Sequence, residues 1–472
     1  MTGPPHPTME PLDPHGPQPL SGAERGAVSP LPPLRAGEGG RGGEVFQPFE
    51  LSLLGSEYGN MLSCVRCGQC LTSCPTYVLS GREAEGPRGR VALARAVQEG
   101  VLPLTADLLQ HEQNCLICDA CTAVCPAGVH MDPLQVAFRT AVEPHVRRGR
   151  KERLIRKVVF KHLFTNMGLF RLLVLGLWLY QALGIQKRAR ALGIVKLLGM
   201  EQAEAFLPKV SRPFLVPKGE RYAAEAGADA TPVSFFAGCV MSTAMADVDR
   251  ATIRVLQRAG CDVVNTAGQG CCGALNAHSG DLETAKELAR RNIEAFERDG
   301  DAAIVVNSAG CGAMLKDYAH HFRDDPAWTA RAKAFSERVE DVTELLAGRD
   351  LPMRRNLDIA VTYQEPCHLA HAQRIVQPPR LLLRSIPGLE LREMAESSLC
   401  CGSAGVYNLT NPKESRQLQQ RKLDHAAATT ASVIVTANPG CLIQLQSGLD
   451  ERGDRTSVKH IVELLDEATA PD

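Results

Sequence analysis

Two cysteine runs decide the reading of this chain: Cys64-Val-Arg-Cys67-Gly-Gln-Cys70-Leu-Thr-Ser-Cys74-Pro75 and Cys115-Leu-Ile-Cys118-Asp-Ala-Cys121-Thr-Ala-Val-Cys125-Pro126. Both carry the spacing by which a short loop wraps a [4Fe–4S] cube. A cube takes one thiolate per iron, and three closely spaced cysteines supply three corners. The fourth cysteine lies too far along its own loop and reaches the other cube. The expected sets are therefore Cys64, Cys67, Cys70 and Cys125 for one cluster, and Cys115, Cys118, Cys121 and Cys74 for the other. Structural zinc also uses Cys-x2-Cys pairs, but four ligands satisfy it, and it leaves the third cysteine, the x3 spacing and the proline unexplained. Two neighbouring clusters imply electron transfer.

The 472-residue chain has a net charge of -1 and 5% aromatic residues, which gives no reason to expect a nucleic-acid partner. Of its 17 cysteines, 16 fall into two pairs of repeats. The seventeenth, Cys261, stands at a predicted strand start and is expected to be a small buried apolar side chain. No apolar run follows a basic N-terminus, so no secretory signal is expected. Abundant free cysteine then points to a reducing cytoplasm, with a peripheral place on the inner face of the cell membrane as a refinement.

Residues 1–45 hold ten of the 30 prolines and are expected to be a disordered tail. Residues 46–146 form the di-cluster module. Its 40-residue spacer, Pro75 to Asn114, has helical periodicity over Arg90–Glu99 and Thr105–Glu112, so an α-helical ferredoxin module is expected. Residues 147–232 form a connector and linker. The connector is basic, then apolar, with 15 uncharged residues from Leu172 to Gln186, too few to span a bilayer at about 20 residues per crossing. Its length favours packing on the protein or on a partner subunit; lying on a membrane surface is the alternative.

From residue 233 the chain repeats itself, as 233–350 and 351–472. A strand leads to Cys239, then come Cys271-Cys272-Gly273, a second strand and Cys311. The second copy has Cys367, Cys400-Cys401-Gly402 and Cys441. The offsets nearly coincide, at 32 and 33 residues before the pairs and 39 and 40 after them. Alternating strands and helices predict a small parallel sheet in each copy, with cysteines at strand ends where α/β sites form. The pattern Gly268-Gln-Gly270-Cys-Cys-Gly273 matches a dinucleotide fingerprint in letters alone, because its variable positions are the paired cysteines.

These motifs, with Glu85-Gly-Pro-Arg-Gly-Arg90, Glu365-Pro-Cys-His368 and Thr436-Ala-Asn-Pro-Gly-Cys441, resemble the iron–sulfur subunits of bacterial glycolate oxidase over about residues 57–466. The resemblance implies a mixed α and α/β protein: a helical ferredoxin module, then two cysteine-rich CCG domains. It implies two [4Fe–4S] clusters and an electron-transfer role in a flavin-dependent 2-hydroxyacid dehydrogenase. FAD would reside on partner glycolate oxidase subunits, and a membrane quinone or cytochrome would accept the electrons. CCG repeats also occur in lactate-utilisation proteins, anaerobic glycerol-3-phosphate dehydrogenase and heterodisulfide reductase, so subunits of those enzymes and a redox-sensing protein are the alternatives. The full repeat ends in Cys-x2-Cys, whereas Ser308 and Asn438 stand at the first of those positions here. The eight remaining cysteines, Cys239, Cys271, Cys272, Cys311, Cys367, Cys400, Cys401 and Cys441, could hold a simpler further cluster.

Overall fold

Cysteine-bearing loops need rigid supports, and short helices supply them in the first part of the chain. The computed structural model describes residues 52–146, 148–225 and 230–471, all within one compact unit. The expected tail at 1–45 lies outside the described residues. Residues 52–146 contain helices and no strand. Pro75–Ser80 and Pro87–Gln98 each begin on a proline, whose fixed φ suits the first helical turn. Ala106–Gln113 starts at Thr105, whose hydroxyl accepts the Leu108 N–H at 3.2 Å. Met131–Val142 closes the module by burying Leu134, Val136 and Phe138.

The connector runs through Arg150–Arg156, a π-helical turn Lys157–Leu163, Met167–Ala182 and Ile185–Ala191. The stretch read as a plain linker contains a strand, β1 (Glu220–Tyr222), which pairs antiparallel with the first repeat. Three residues, two of them charged, are too short a signal to stand out in sequence.

The first repeat adds β2 (Thr231–Phe236), β3 (Cys261–Asn265), β4 (Ala303–Val306) and β5 (Val339–Asp341), in sheet order β1-β3-β2-β4-β5. The second has β6 (Ala360–Tyr363), β7 (Glu390–Leu391), β8 (Val433–Thr436) and β9 (Ser457–His460), in order β7-β6-β8-β9. Apart from β1, the two topologies coincide and every pairing is parallel. Cys261 opens β3 fully buried in the apolar core, as its lack of a motif suggested.

The repeats pack reciprocally. The first helix of one, Ala246–Arg258, lies on the last helix of the other, Ile461–Thr469, and Val342–Ala347 lies on Gln377–Ser385 in the converse arrangement. One core joins Val233 and Phe235 to Val361, Tyr363 and Val435. Arg258 crosses the seam to Asp466 at 2.9 Å and Thr469 at 3.0 Å.

His460 ties the seam at its centre. A carbonyl can only accept, so Nε2–H donates to the Asn307 carbonyl at 2.9 Å. The Nδ1 atom then accepts the Val462 N–H at 3.3 Å and caps the last helix. The Nδ1 bond needs the neutral ring, and burial holds its pKa down at about 4. Between the unfolded value of 6.5 and that of the folded state, the unfolded chain binds the extra proton. Stability should therefore fall as pH drops through this window, by on the order of 3 kcal/mol in total. Denaturant titrations at pH 7 and pH 4.5 are expected to show less of this loss in His460→Gln than in the unmodified chain.

Candidate iron–sulfur centres

The two cysteine runs fold alike. The residue before the second cysteine of each run, Arg66 and Ile117, is left-handed, at φ 58° and 47°. So is the residue after it, Gly68 at 85° and Asp119 at 56°. A β-branched residue such as Ile117 seldom adopts this conformation, and such strain collects at functional sites. The kinks turn each loop around a cavity.

One cavity is lined by Cys64, Cys67, Cys70 and Cys125, with Cys121 at its wall. The other is lined by Cys74, Cys115, Cys118 and Cys121. The fourth cysteine of each run thus crosses to the other run's cavity, and Cys121 stands between the two. Cys67 is exposed, whereas Cys74, Cys115 and Cys118 are buried. Burial first, then the neighbouring thiols, pushes the Cys118 and Cys121 pKa values up, so the thiolates of this set require a compensating cation. The Ile117 N–H reaches the Cys115 sulfur and the Val129 N–H the Cys125 sulfur, both at 3.4 Å. Among the described residues no three His, Cys, Asp or Glu side chains converge as a single ion requires. The thiols instead surround a space, as a cube would need.

The Glu85–Arg90 segment braces the second cavity. The Arg90 side chain is 1% exposed and pairs with Glu85 at 2.8 Å. It also donates to the His111 carbonyl at 2.8 Å and to Thr76 Oγ1 at 3.0 Å, and lies 4.0 Å from the Cys74 sulfur. Glu85 accepts from Asn114 Nδ2 at 3.0 Å and meets His111 Nδ1 at 2.7 Å. Gly89 is required because a Cβ there would stand 2.0 Å from the Glu83 carbonyl oxygen. Arg139 binds the Cys115 carbonyl at 2.6 Å and, with its other nitrogen, the His278 carbonyl of the first repeat at 2.8 Å. Asn411 of the second repeat donates to Asn114 at 2.8 Å.

In the repeats, the cysteines follow the carboxyl ends of adjacent strands. Cys239 follows β2, Cys271 and Cys272 follow β3, and Cys311 lies in the first turn after β4. Cys367, Cys400, Cys401 and Cys441 take the equivalent places after β6, β7 and β8. Each pair precedes a left-handed glycine: Gly273 at φ 90° and Gly402 at φ 89°. A Cβ on Gly402 would come within 2.6 Å of the Ser415 carbonyl oxygen, so the third letter of the repeat is a packing requirement.

Sequence reasoning did not foresee that the two sets share a cavity. All eight cysteines line one space of about 290 Å³. Contact with Cys271, together with burial, pushes the Cys239 thiol up, and contact with Cys400 does the same to Cys367. At the position expected for a further cysteine, Asn438 accepts the Gly310 N–H across the repeats at 3.0 Å and points its amide at Cys441, 3.6 Å away. Ser308 is buried and lines the same cavity. The sets also continue into the ferredoxin module, where Cys118 shares an apolar cluster with Cys367 and Cys400.

Arg90→Gln removes the partner of buried Glu85 and is expected to cost about 3–5 kcal/mol. Chemical denaturation of anaerobically prepared protein measures it, and a loss below about 1 kcal/mol would mean that the brace is not needed.

Comparison with known proteins agrees with this geometry. Residues 60–129 match a 4Fe-4S dicluster domain, 233–316 and 361–446 match the cysteine-rich CCG domain, and 151–207 match the linker region of the glycolate oxidase iron–sulfur subunit. The chain is 40% identical over 421 residues to a probable glycolate oxidase iron–sulfur subunit of Bacillus subtilis, covering 87% of this chain and 94% of that one. It is 35% identical to the glycolate oxidase iron–sulfur subunit of Escherichia coli, over 86% and 93% of the two chains. Lactate utilization protein A of Bacillus cytotoxicus is 30% identical over 49% of this chain and 98% of that protein. The chain belongs to the glycolate oxidase iron–sulfur subunit family.

Proposed function

We propose that this chain carries electrons from FAD-containing glycolate oxidase subunits, which oxidise glycolate, toward a quinone or cytochrome in the membrane. The observation that carries the reading is the contiguity of the four sulfur sets. The exposed Cys67 marks one end, Cys121 joins the two ferredoxin-type cavities, and Cys118 adjoins Cys367 and Cys400. The two repeat sets then face each other across one cavity.

Cys64, Cys67, Cys70 and Cys125 are the proposed ligands of one [4Fe–4S] cluster, and Cys74, Cys115, Cys118 and Cys121 those of a second. The two repeat sets are proposed to hold further iron–sulfur centres. Such clusters supply one-electron redox chemistry, with potentials set by charge, hydrogen bonds and burial. The chain's own residues supply those influences. Arg90 and Arg139 place positive charge beside Cys74 and Cys115, amide N–H groups face the sulfurs, and most of the inner cysteines are buried. No general acid or base is required of this chain.

Mixing the anaerobically purified chain with its flavoprotein subunits and glycolate is expected to bleach the iron–sulfur absorbance and produce reduced-cluster EPR signals. Iron analysis is expected to exceed about eight atoms per chain, the content of two cubes. Zinc in place of iron, or clusters that glycolate fails to reduce in the assembled complex, would overturn the proposal. About eight iron atoms together with turnover of a disulfide substrate would instead assign thiol chemistry to the shared cavity.

A further inference from the structure

The connector carries most of the exposed large apolar side chains among the described residues. Among the described residues, 14 of the 21 exposed large apolar side chains lie between Leu154 and Met200. Leu172 is 64% exposed, Leu192 75% and Leu197 85%. Leaving so much apolar surface in water is unfavourable, and its concentration on one segment of the chain points to an interaction site.

The same stretch is strongly basic. Residues 147–200 contain thirteen Lys and Arg against one acidic residue, Glu152, in a chain whose net charge is -1. Arg148, Arg156 and Arg190 are paired with Glu143 and Glu204. Lys151, Arg153, Lys157, Lys161, Arg188 and Lys196 are exposed among the apolar side chains. A protein interface is depleted of lysine at its core. Interspersed basic and apolar side chains instead suit an anionic headgroup layer above acyl chains.

The helices also lie in a suitable way. No single helix among the described residues is long and apolar enough to cross a membrane; Arg150–Leu163 and Met167–Ala182 reach that length and composition only together, across a 112° bend. On the inner side of the connector, Phe170 and Val174 are buried, and with Met167 and Trp178 they share an apolar cluster with Cys239 and Cys271. Phe206 lines the cavity of the eight cysteines. The exposed surface is therefore the outer face of an element whose inner face covers the first repeat's cysteines.

We propose that residues 150–200 form a docking surface for an anionic lipid bilayer, lying in the headgroup region without crossing it. Docking holds the shared cysteine cavity next to the lipid phase, where an acceptor for the electrons resides; this purpose rests on the proposed electron-carrier role, whereas the docking itself does not.

The full chain, purified anaerobically, is sedimented with vesicles of phosphatidylcholine alone or mixed with phosphatidylglycerol. It is expected to bind the anionic vesicles, to bind them less as salt rises, and to lose about tenfold in affinity in Leu192→Glu/Leu197→Glu. A second variant, Lys157→Gln/Lys161→Gln, is expected to weaken binding to anionic vesicles alone. All four positions are exposed, so the iron–sulfur absorbance and circular dichroism of the variants should be unchanged. Failure to bind anionic vesicles would overturn the proposal, as would loss of self-association or of flavoprotein assembly in these variants in place of vesicle binding. Glycolate-driven cluster reduction, assayed without vesicles, reports separately on the electron-carrier role.

Discussion

The exchange of cysteines between the two ferredoxin-type runs is the constraint on which the rest of this structure depends. Cys74 lies in the cavity of the second run and Cys125 in that of the first, so neither site is complete without the other. The 40-residue spacer must therefore return to its starting point, and its helices make the turn. The Glu85–Arg90 pair locks that return by joining the helices Pro75–Ser80, Pro87–Gln98 and Ala106–Gln113 through buried, mutually satisfied hydrogen bonds. A buried ion pair of this kind costs desolvation, and its additional hydrogen bonds are what make it tolerable.

A second constraint shapes the other half. Two sheets of the same topology pack reciprocally, so whatever one presents at its strand ends is met by the same feature from the other. Duplicated cysteine positions thereby become a single cavity with eight thiols. Asn438, bonded to Gly310 of the opposite repeat, shows that a residue departing from the repeat pattern can serve the junction between the copies. Arg139 and Asn411 then fasten the ferredoxin module to both repeats, and the sulfur sets lie in sequence through one folded body.

Much of this was legible before the fold was known, where the signal was local. The spacing of the cysteines carried the assignment of the two cavities, because loop length limits which thiols can meet. The helices Pro87–Gln98 and Ala106–Gln113 were readable from periodicity, the small parallel sheets from the alternation of strands and helices, and Cys261 from its lack of partners. The illegible parts are tertiary. The left-handed backbone at Ile117 and Asp119 contradicts local preference and is held by the surrounding fold. The strand at Glu220–Tyr222 exists because β3 offers it an edge. That the two repeat sets meet, and that the connector buries Phe170 and Val174 while leaving Leu172 and Leu173 exposed, depends on how separately stable pieces pack.

The exchange itself can be measured most directly by EPR of the reduced protein with single serine substitutions. Cys118→Ser and Cys64→Ser identify the signals of the second and first clusters. The account predicts that Cys74→Ser alters the same signal as Cys118→Ser, and that Cys125→Ser alters the same signal as Cys64→Ser. Pairing of Cys74 with Cys64, and of Cys125 with Cys118, would contradict it: each run would then hold its own cluster, and the interleaving would have no part in the architecture.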